Sequence, residues 1–229
     1  MNPTVILFDV DGTLLTSGGA GRSAMIAAFT HVVGRADACD AFSMAGMTDR
    51  AIIRLGLQSI DESTADPQID AILTHYLHLL PSAIASAFHL RACEGVLAAL
   101  AHLRTLPHVA LGLGTGNVES GARIKLHPLG INELFSFGGF GCDAEERAAL
   151  IAVGARRGAA KLGTEIEKCR VVIVGDTPKD VAAAHANGAQ CIAVATGQHD
   201  VAALRAAGAV KAYGDLTAPG AMDALVSGW

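Results

Sequence analysis

The chain has 229 residues, 51% of them hydrophobic and only 4% aromatic, with a formal net charge of −5. Domains typically run ~100–200 residues, so one large or two modest domains are expected, with a core built mainly from Ala, Val, Leu and Ile. The acidic balance argues against nucleic acid as a partner, which needs a basic footprint. The longest apolar stretch, near Tyr76–Leu90, is broken by His78, Pro81 and His89, where a spanning helix needs ~20 mostly apolar residues.

Taken in chain order, a strand is predicted over Thr4–Phe8, entered with no basic leader, so no signal peptide is read. From about Leu15 to Leu90 no strand is predicted. Helices are expected near Arg22–Val33, Asp49–Leu57 and Pro67–His89, the last bent or interrupted at Pro81. Beyond this interval, strands at Val109–Gly114, Phe135–Phe140, Val171–Gly175, Gln190–Val194 and Val210–Tyr213 alternate with helices at Glu94–Leu106, Val118–Leu129, Ala144–Leu162, Pro178–Ala186, Val201–Ala207 and Ala218–Val226. Near-continuous apolar strands alternating with helices predict an α/β fold whose parallel sheet is covered on both faces. The helical interval is then an insert after the first strand, entered through Ser17-Gly18-Gly19-Ala20-Gly21. Residues 1–16 and 90–229 would form the core and 17–89 the insert. The five cysteines are scattered with no CxxC. They read as small buried hydrophobes in a reducing compartment, which makes the cytoplasm the default location.

In open parallel sheets, ligands bind at the carboxyl ends of the strands. Asp9 and Asp11 follow the first strand, Thr115-Gly116-Asn117 the second, and Asp176-Thr177-Pro178-Lys179-Asp180 the fourth. Three carboxylates and a hydroxyl therefore converge on one sheet edge. Unpaired, the acids would raise each other's pKa. A hard divalent cation resolves the repulsion, and Mg²⁺ takes oxygen ligands. A hairpin turn would explain Asp11-Gly12 but not the acids after the fourth strand. A calcium loop fails, because its fifth and twelfth positions are Thr13 and Ala20.

DVDGT, the strand ending at Thr115, and GDTPKD resemble the first, second and fourth motifs of the haloacid dehalogenase superfamily. The resemblance covers the whole chain, including a helical cap after the first motif, and is strongest to the phosphoglycolate phosphatase-like branch. It implies a Rossmann-like core and a Mg²⁺-dependent phosphatase that works through an aspartyl-phosphate. It makes Asp9 the nucleophile and Asp11 the general acid and base, with Mg²⁺ held by Asp9, the Asp11 carbonyl and Asp176. Thr115, Gly116 and Asn117 would bind phosphate at a helix N-terminus. Asp180 would orient the cation or metal site, or act as a helix first-turn acid.

One departure stands out. The family's third motif is a lysine near the start of the helix before the fourth strand, and no lysine stands there. Lys161 is ~20 Å along the same helix, and Lys125 sits well down the previous one. Arg147 is in the first turn and is the expected substitute; a surface arginine paired with Glu145 or Glu146 is the alternative.

Weaker features do not change this reading. Gly18–Gly21 lacks the GK[ST] ending of a P-loop and reads as a hinge to the cap. Gly112–Gly116 is not GxGxxG. His75 and His78 are at helical spacing but read as structural. In the cap, Thr48, Asp49 and Arg50 are candidates for substrate specificity, although Thr48 is also a good helix N-cap.

The expected substrate is a small phosphorylated metabolite, and the expected assembly a monomer or homodimer. A sugar-phosphate mutase and a catalytically weak phosphate-binding regulator are the rivals. Dehalogenation is disfavoured, since Asp11 supplies an acid that carbon–halogen cleavage does not need.

Overall fold

The structure, a computed structural model, describes residues 2–227; the outermost residues of the predicted core, 1 and 228–229, lie outside it. Strand β1 (Thr4–Phe8) is buried along its whole length, as a continuous β-branched and apolar run demands. Strand β2 (Leu15–Thr16) leads into the insert, made of α1 (Ala20–Val33), α2 (Asp49–Ser59) and α3 (Asp66–Ala85), and β3 (Arg91–Ala92) leads out. The chain continues through α4 (Val96–Leu103), β4 (Val109–Gly114), α5 (Glu119–Leu126), β5 (Gly138–Gly139) and α6 (Arg147–Lys161). It ends with β6 (Arg170–Gly175), α7 (Pro178–Ala186), β7 (Gln190–Val194), α8 (Val201–Ala206), β8 (Lys211–Tyr213) and α9 (Ala221–Val226).

The main sheet has the order β5-β4-β1-β6-β7-β8 and is parallel throughout. β1 lies between β4 and β6, with Phe8 in register with both Leu113 and Val174. The carboxyl ends of these three strands therefore sit side by side. One apolar cluster covers each face, the first around Phe8, Phe135 and Leu100, the second around Leu7, Ile151 and Val181. The α1–α3 insert gathers its own cluster around Phe29, Ile53 and Tyr76. No helix among the described residues is long and apolar enough to cross a membrane.

Four expectations need correction. The strand expected over Phe135–Phe140 shrinks to Gly138–Gly139. Helix α6 crosses so closely there that a Cβ at Gly139 would overlap the Leu150 carbonyl, and one at Gly154 would press on the Gly139 amide. The interval expected to lack strands holds β2 at its start, paired antiparallel with β3 (Leu15↔Ala92, Thr16↔Arg91). Two residues are too few to show a period-2 pattern. Helix α3 runs through Pro81 as one element and stops at Ala85. Finally, Cys39, Cys93 and Cys191 are buried, but Cys142 is exposed and Cys169 half-buried.

Candidate active site

Asp9 leaves β1 with its N–H donating to the Val174 carbonyl (2.9 Å). The Val10 side chain is fully buried, so the flanking carboxylates of Asp9 and Asp11 turn the other way, toward the cavity they line. The chain then curls on itself. Gly12 has φ 79°, and the Val10 carbonyl accepts from the amides of Thr13, Leu14 and Leu15 (3.4, 3.0 and 3.1 Å). Gly12 is required here twice over: by its left-handed backbone and because a Cβ would run into the Asp176 carboxylate.

Arg147 opens α6, whose N-cap is Glu146. Its guanidinium is buried and bonds Asp180 Oδ1 through Nε (3.0 Å) and Nη2 (2.5 Å). Nη2 also reaches Asp9 Oδ2 at 3.1 Å, and Nη1 donates to the Gly46 carbonyl of the cap (3.2 Å). The surface pairing with Glu145 or Glu146 is not what forms; Glu145 pairs with Arg54 instead. Asp180 uses its two oxygens separately. Its Oδ2 closes a capping box with Thr177 at the start of α7, while its Oδ1 holds Arg147.

Burial raises Asp9 to about 6; Arg147 opposes the rise, and Asp180 and Asp11 add to it. Asp176 is raised further, to about 8, by burial and by the charges of Asp9 and Asp180. Burial works against the charge on Arg147, but Asp180 and Asp9 together hold its pKa above the ordinary arginine value.

Among the described residues, Asp9, Asp176 and Asp180 bring carboxylate oxygens within 4.8 Å of one another, the arrangement a cation would need. Asp180 has both oxygens engaged, and Asp176 gives Oδ1 to the Thr13 hydroxyl (3.0 Å). Asp176 Oδ2 is boxed by glycine: a Cβ at Gly12 or Gly197 would overlap it. Three buried carboxylates against one guanidinium leave hard oxygen donors that fit a divalent cation. The carboxylate of Asp11 stands apart from this group, so only its backbone could join it. His75 stacks on His31 (centroids 3.8 Å) and lies 6.0 Å from His78, outside any such group.

Thr115 and Asn117 are buried beside Asp11. The Asn117 side-chain amide donates to Asp11 Oδ2 (2.8 Å) and to the Thr115 hydroxyl (2.9 Å). The Asn117 backbone N–H also turns to Thr115 Oγ1 (3.3 Å). Gly116 packs against the Met47 carbonyl so tightly that a Cβ would overlap it.

The cap is docked on this edge. Asp49 donates its N–H to the Gly116 carbonyl (2.9 Å) and accepts from the Val118 N–H (2.8 Å), and Thr48 donates to the Glu145 carbonyl (3.0 Å). Lys179 bonds the Ala45 carbonyl (2.9 Å). A cavity of about 640 Å³ remains between cap and core, lined by Asp9, Asp11, Asn117, Arg147 and Asp176 below and by Arg22, Met25, Met44, Asp49 and Tyr76 above.

Of the three cap candidates, Asp49 alone lines this cavity. Thr48 is the N-cap of α2, accepting from Ala51 N, and Arg50 turns to Asp66 (3.1 Å) and Asp70 (2.5 Å). The sequence reading passed over Lys125, whose buried ammonium bonds Asp11 Oδ2 at 2.7 Å and Asn117 Oδ1 at 2.6 Å. A signal was present: Lys125 lies four residues after Gly121 and three after Ala122, on the stripe that α5 buries. Burial raises Asp11, but Lys125 and Asn117 outweigh it and the net shift is downward.

Solved structures share this architecture along nearly the whole chain. CbbY from Rhodobacter sphaeroides in complex with phosphate aligns with TM-score 0.72 and 18% identity, over 97% of this chain and 100% of its own. A hydrolase from Pseudomonas syringae aligns at 0.66 and 22%, over 98% and 99%. A predicted phosphoglycolate phosphatase from Haemophilus somnus aligns at 0.66 and 16%, over 93% and 94%. No curated protein matches the sequence. The sequence pattern of the haloacid dehalogenase-like hydrolases matches residues 6–194, most of the chain and both sides of the cap. The chain belongs to that family.

Proposed function

We propose that the protein is a Mg²⁺-dependent phosphatase of the phosphoglycolate phosphatase-like branch, acting on a small phosphomonoester. The observation that carries this reading is the unlike treatment of the two aspartates. Asp9 is buried against Arg147 and beside Asp176, while Asp11 is held separately by Lys125 and Asn117. One acid is placed to form a bond to phosphorus and the other to move protons. The similarity to a phosphate-bound protein and to a predicted phosphoglycolate phosphatase supports the substrate class.

Asp9 attacks phosphorus, and the bond from phosphorus to the ester oxygen breaks. Asp11 must enter this step protonated, on the oxygen that Lys125 does not hold, and it gives that proton to the departing oxygen, leaving phosphate on Asp9. Asp11 then takes a proton from water, the resulting hydroxide attacks phosphorus, and the bond to Asp9 breaks to release phosphate. Arg147 takes the place of the third-motif lysine. It is always charged and has a planar fork of five donors, four of them committed to Asp180, Asp9 and Gly46. Thr115, Gly116 and Asn117 frame the phosphate position, and Asp180 holds Arg147. Asp9, Asp176 and the Asp11 carbonyl would hold Mg²⁺, which would neutralise charge on the phosphoryl oxygens. The docked cap keeps bulk water from the phosphoenzyme.

A screen of phosphorylated metabolites for phosphate release tests the reading, with Mg²⁺ present or removed by chelator. Release from a subset of esters, abolished by chelation and restored by Mg²⁺, is expected. Full activity in excess chelator would refute metal dependence. An isomerised ester without free phosphate would favour a mutase, and no turnover of any ester would favour a phosphate-binding regulator.

A further inference from the structure

Lys125 is the charged group that the scheme above leaves without a task. It is buried on α5, two turns into the helix, and it touches both the proposed acid and the cap. An ammonium has three N–H donors and no acceptor. Asp11 Oδ2 and Asn117 Oδ1 take two of them, at 2.7 and 2.6 Å, and the Tyr76 hydroxyl stands nearby, both it and the ammonium lying within 4 Å of where a Cβ at Gly21 would sit. Two of its three donors are thus committed to protein groups rather than to a phosphoryl oxygen.

Its partners form a closed set. Asp11 Oδ2 accepts a second bond from the Asn117 amide, whose other N–H goes to Thr115. The opposite oxygen, Asp11 Oδ1, has no hydrogen-bond partner among the described residues, and the Asp11 side chain is 44% exposed. A carboxylate pinned through one oxygen cannot swing and presents the other to the cavity. Tyr76 comes from the cap helix α3. At the start of α1, a Cβ at Gly21 would sit 3.2 Å from the Lys125 ammonium, closer than ordinary van der Waals contact. Two cap elements thus complete the socket that holds Lys125.

Building on the phosphatase reading, we infer that Lys125 is a positioning residue. It holds Asp11 by Oδ2 so that Oδ1 faces the leaving oxygen and then the attacking water, and it is itself held by Tyr76 when the cap is closed. Productive Asp11 geometry is thereby tied to cap closure through one ammonium.

A double-mutant cycle of Lys125→Met with Asp11→Asn decides this, assayed with Mg²⁺ on an alkyl and an aryl phosphate. Acid–base groups contribute ~10²–10⁴-fold, so losing the orientation of Asp11 should lower kcat on the alkyl ester by about 10- to 100-fold with KM little changed. In the Asp11→Asn background the same change should cost less than about threefold, because the two residues act as a unit. Lys125→Gln, which retains a donor, should keep more activity than Lys125→Met. Tyr76→Phe should show a smaller loss of the same kind. Equal losses in both backgrounds, tracking a lower Tm, would overturn the inference in favour of a purely structural lysine. If the wild-type protein turned over no ester, the phosphatase reading would fall. The crystal structure of Lys125→Met would then still decide the positioning role: an Asp11 side chain unmoved from its wild-type rotamer overturns it, and a displaced or split one supports it.

Discussion

Asp9 and Asp11 stand two positions apart at the end of one strand, yet the protein gives them opposite surroundings. Asp9 is 5% exposed and shares its cation, Arg147, with Asp180. Asp11 is half open to the cavity and has Lys125 and Asn117 at its Oδ2. Burial outweighs Arg147 at Asp9, which is raised to about 6, whereas Lys125 and Asn117 outweigh burial at Asp11 and lower it. Neighbouring carboxylates thus meet different cations, since the one beside Asp9 arrives on α6 and the one beside Asp11 on α5.

Removing the proposed nucleophile should break the comparison most completely. Asp9→Asn keeps the shape but loses the attacking carboxylate, and steady-state turnover should fall to background with Tm maintained; wild-type-like rates would remove the covalent route. Asp11→Asn should cost ~10²–10⁴-fold on alkyl esters. With a good aryl leaving group the first step can survive, so phosphate label should accumulate on Asp9. Mass spectrometry finding the label elsewhere would contradict the assignment of the pair.

Arg147 sharpens the Asp9 side. Loss of one preorganised charge donor typically costs ~10²–10³-fold in kcat, which is the expectation for Arg147→Ala. Arg147→Lys should retain more, because charge remains although the bidentate fork is lost. Equal rates for wild type and both variants would return Arg147 to a structural ion pair with Asp180.

The smallest effect concerns the cap. Burial raises Asp49 to about 6, against the opposing pull of Lys125 and the Val118 N–H. Its ionisation therefore opposes folding: the stability it contributes is complete below the ordinary carboxylate pKa and declines as pH rises through about 6. Asp49→Asn keeps an acceptor for Val118 but cannot ionise. Its Tm relative to wild type should improve from pH 4 to pH 7, by on the order of a few degrees. A pH-independent difference in scanning calorimetry would show that Asp49 does not carry this titration.

Much of this was legible in the chain because it is local. The apolar run Val5–Phe8 fixes a strand buried on both faces, its end fixes where Asp9 and Asp11 emerge, and Gly12 marks the turn. The same holds for Gly114-Thr115 and Gly175-Asp176, so a sheet edge carrying three acids and a hydroxyl follows from strand ends alone. Arg147 was readable from its place in the first turn of a helix. Three features were decided only by tertiary structure. The β2–β3 ribbon joins positions 15–16 to 91–92, a pairing of two residues with no periodic signature. Asp49 and Arg50 are adjacent in sequence, but their helix sends one to the Gly116–Val118 segment and the other to Asp66 and Asp70. Lys125 looked remote because distance was counted along α5. Seating of α5 on the core through Ala122 and Leu126 brings it over Asp11, 114 positions earlier in the chain. Strand ends and helix starts are set by neighbours in sequence, whereas the partner of a charge in a helix's last turn, such as Lys125, is set by which face the fold buries and against what.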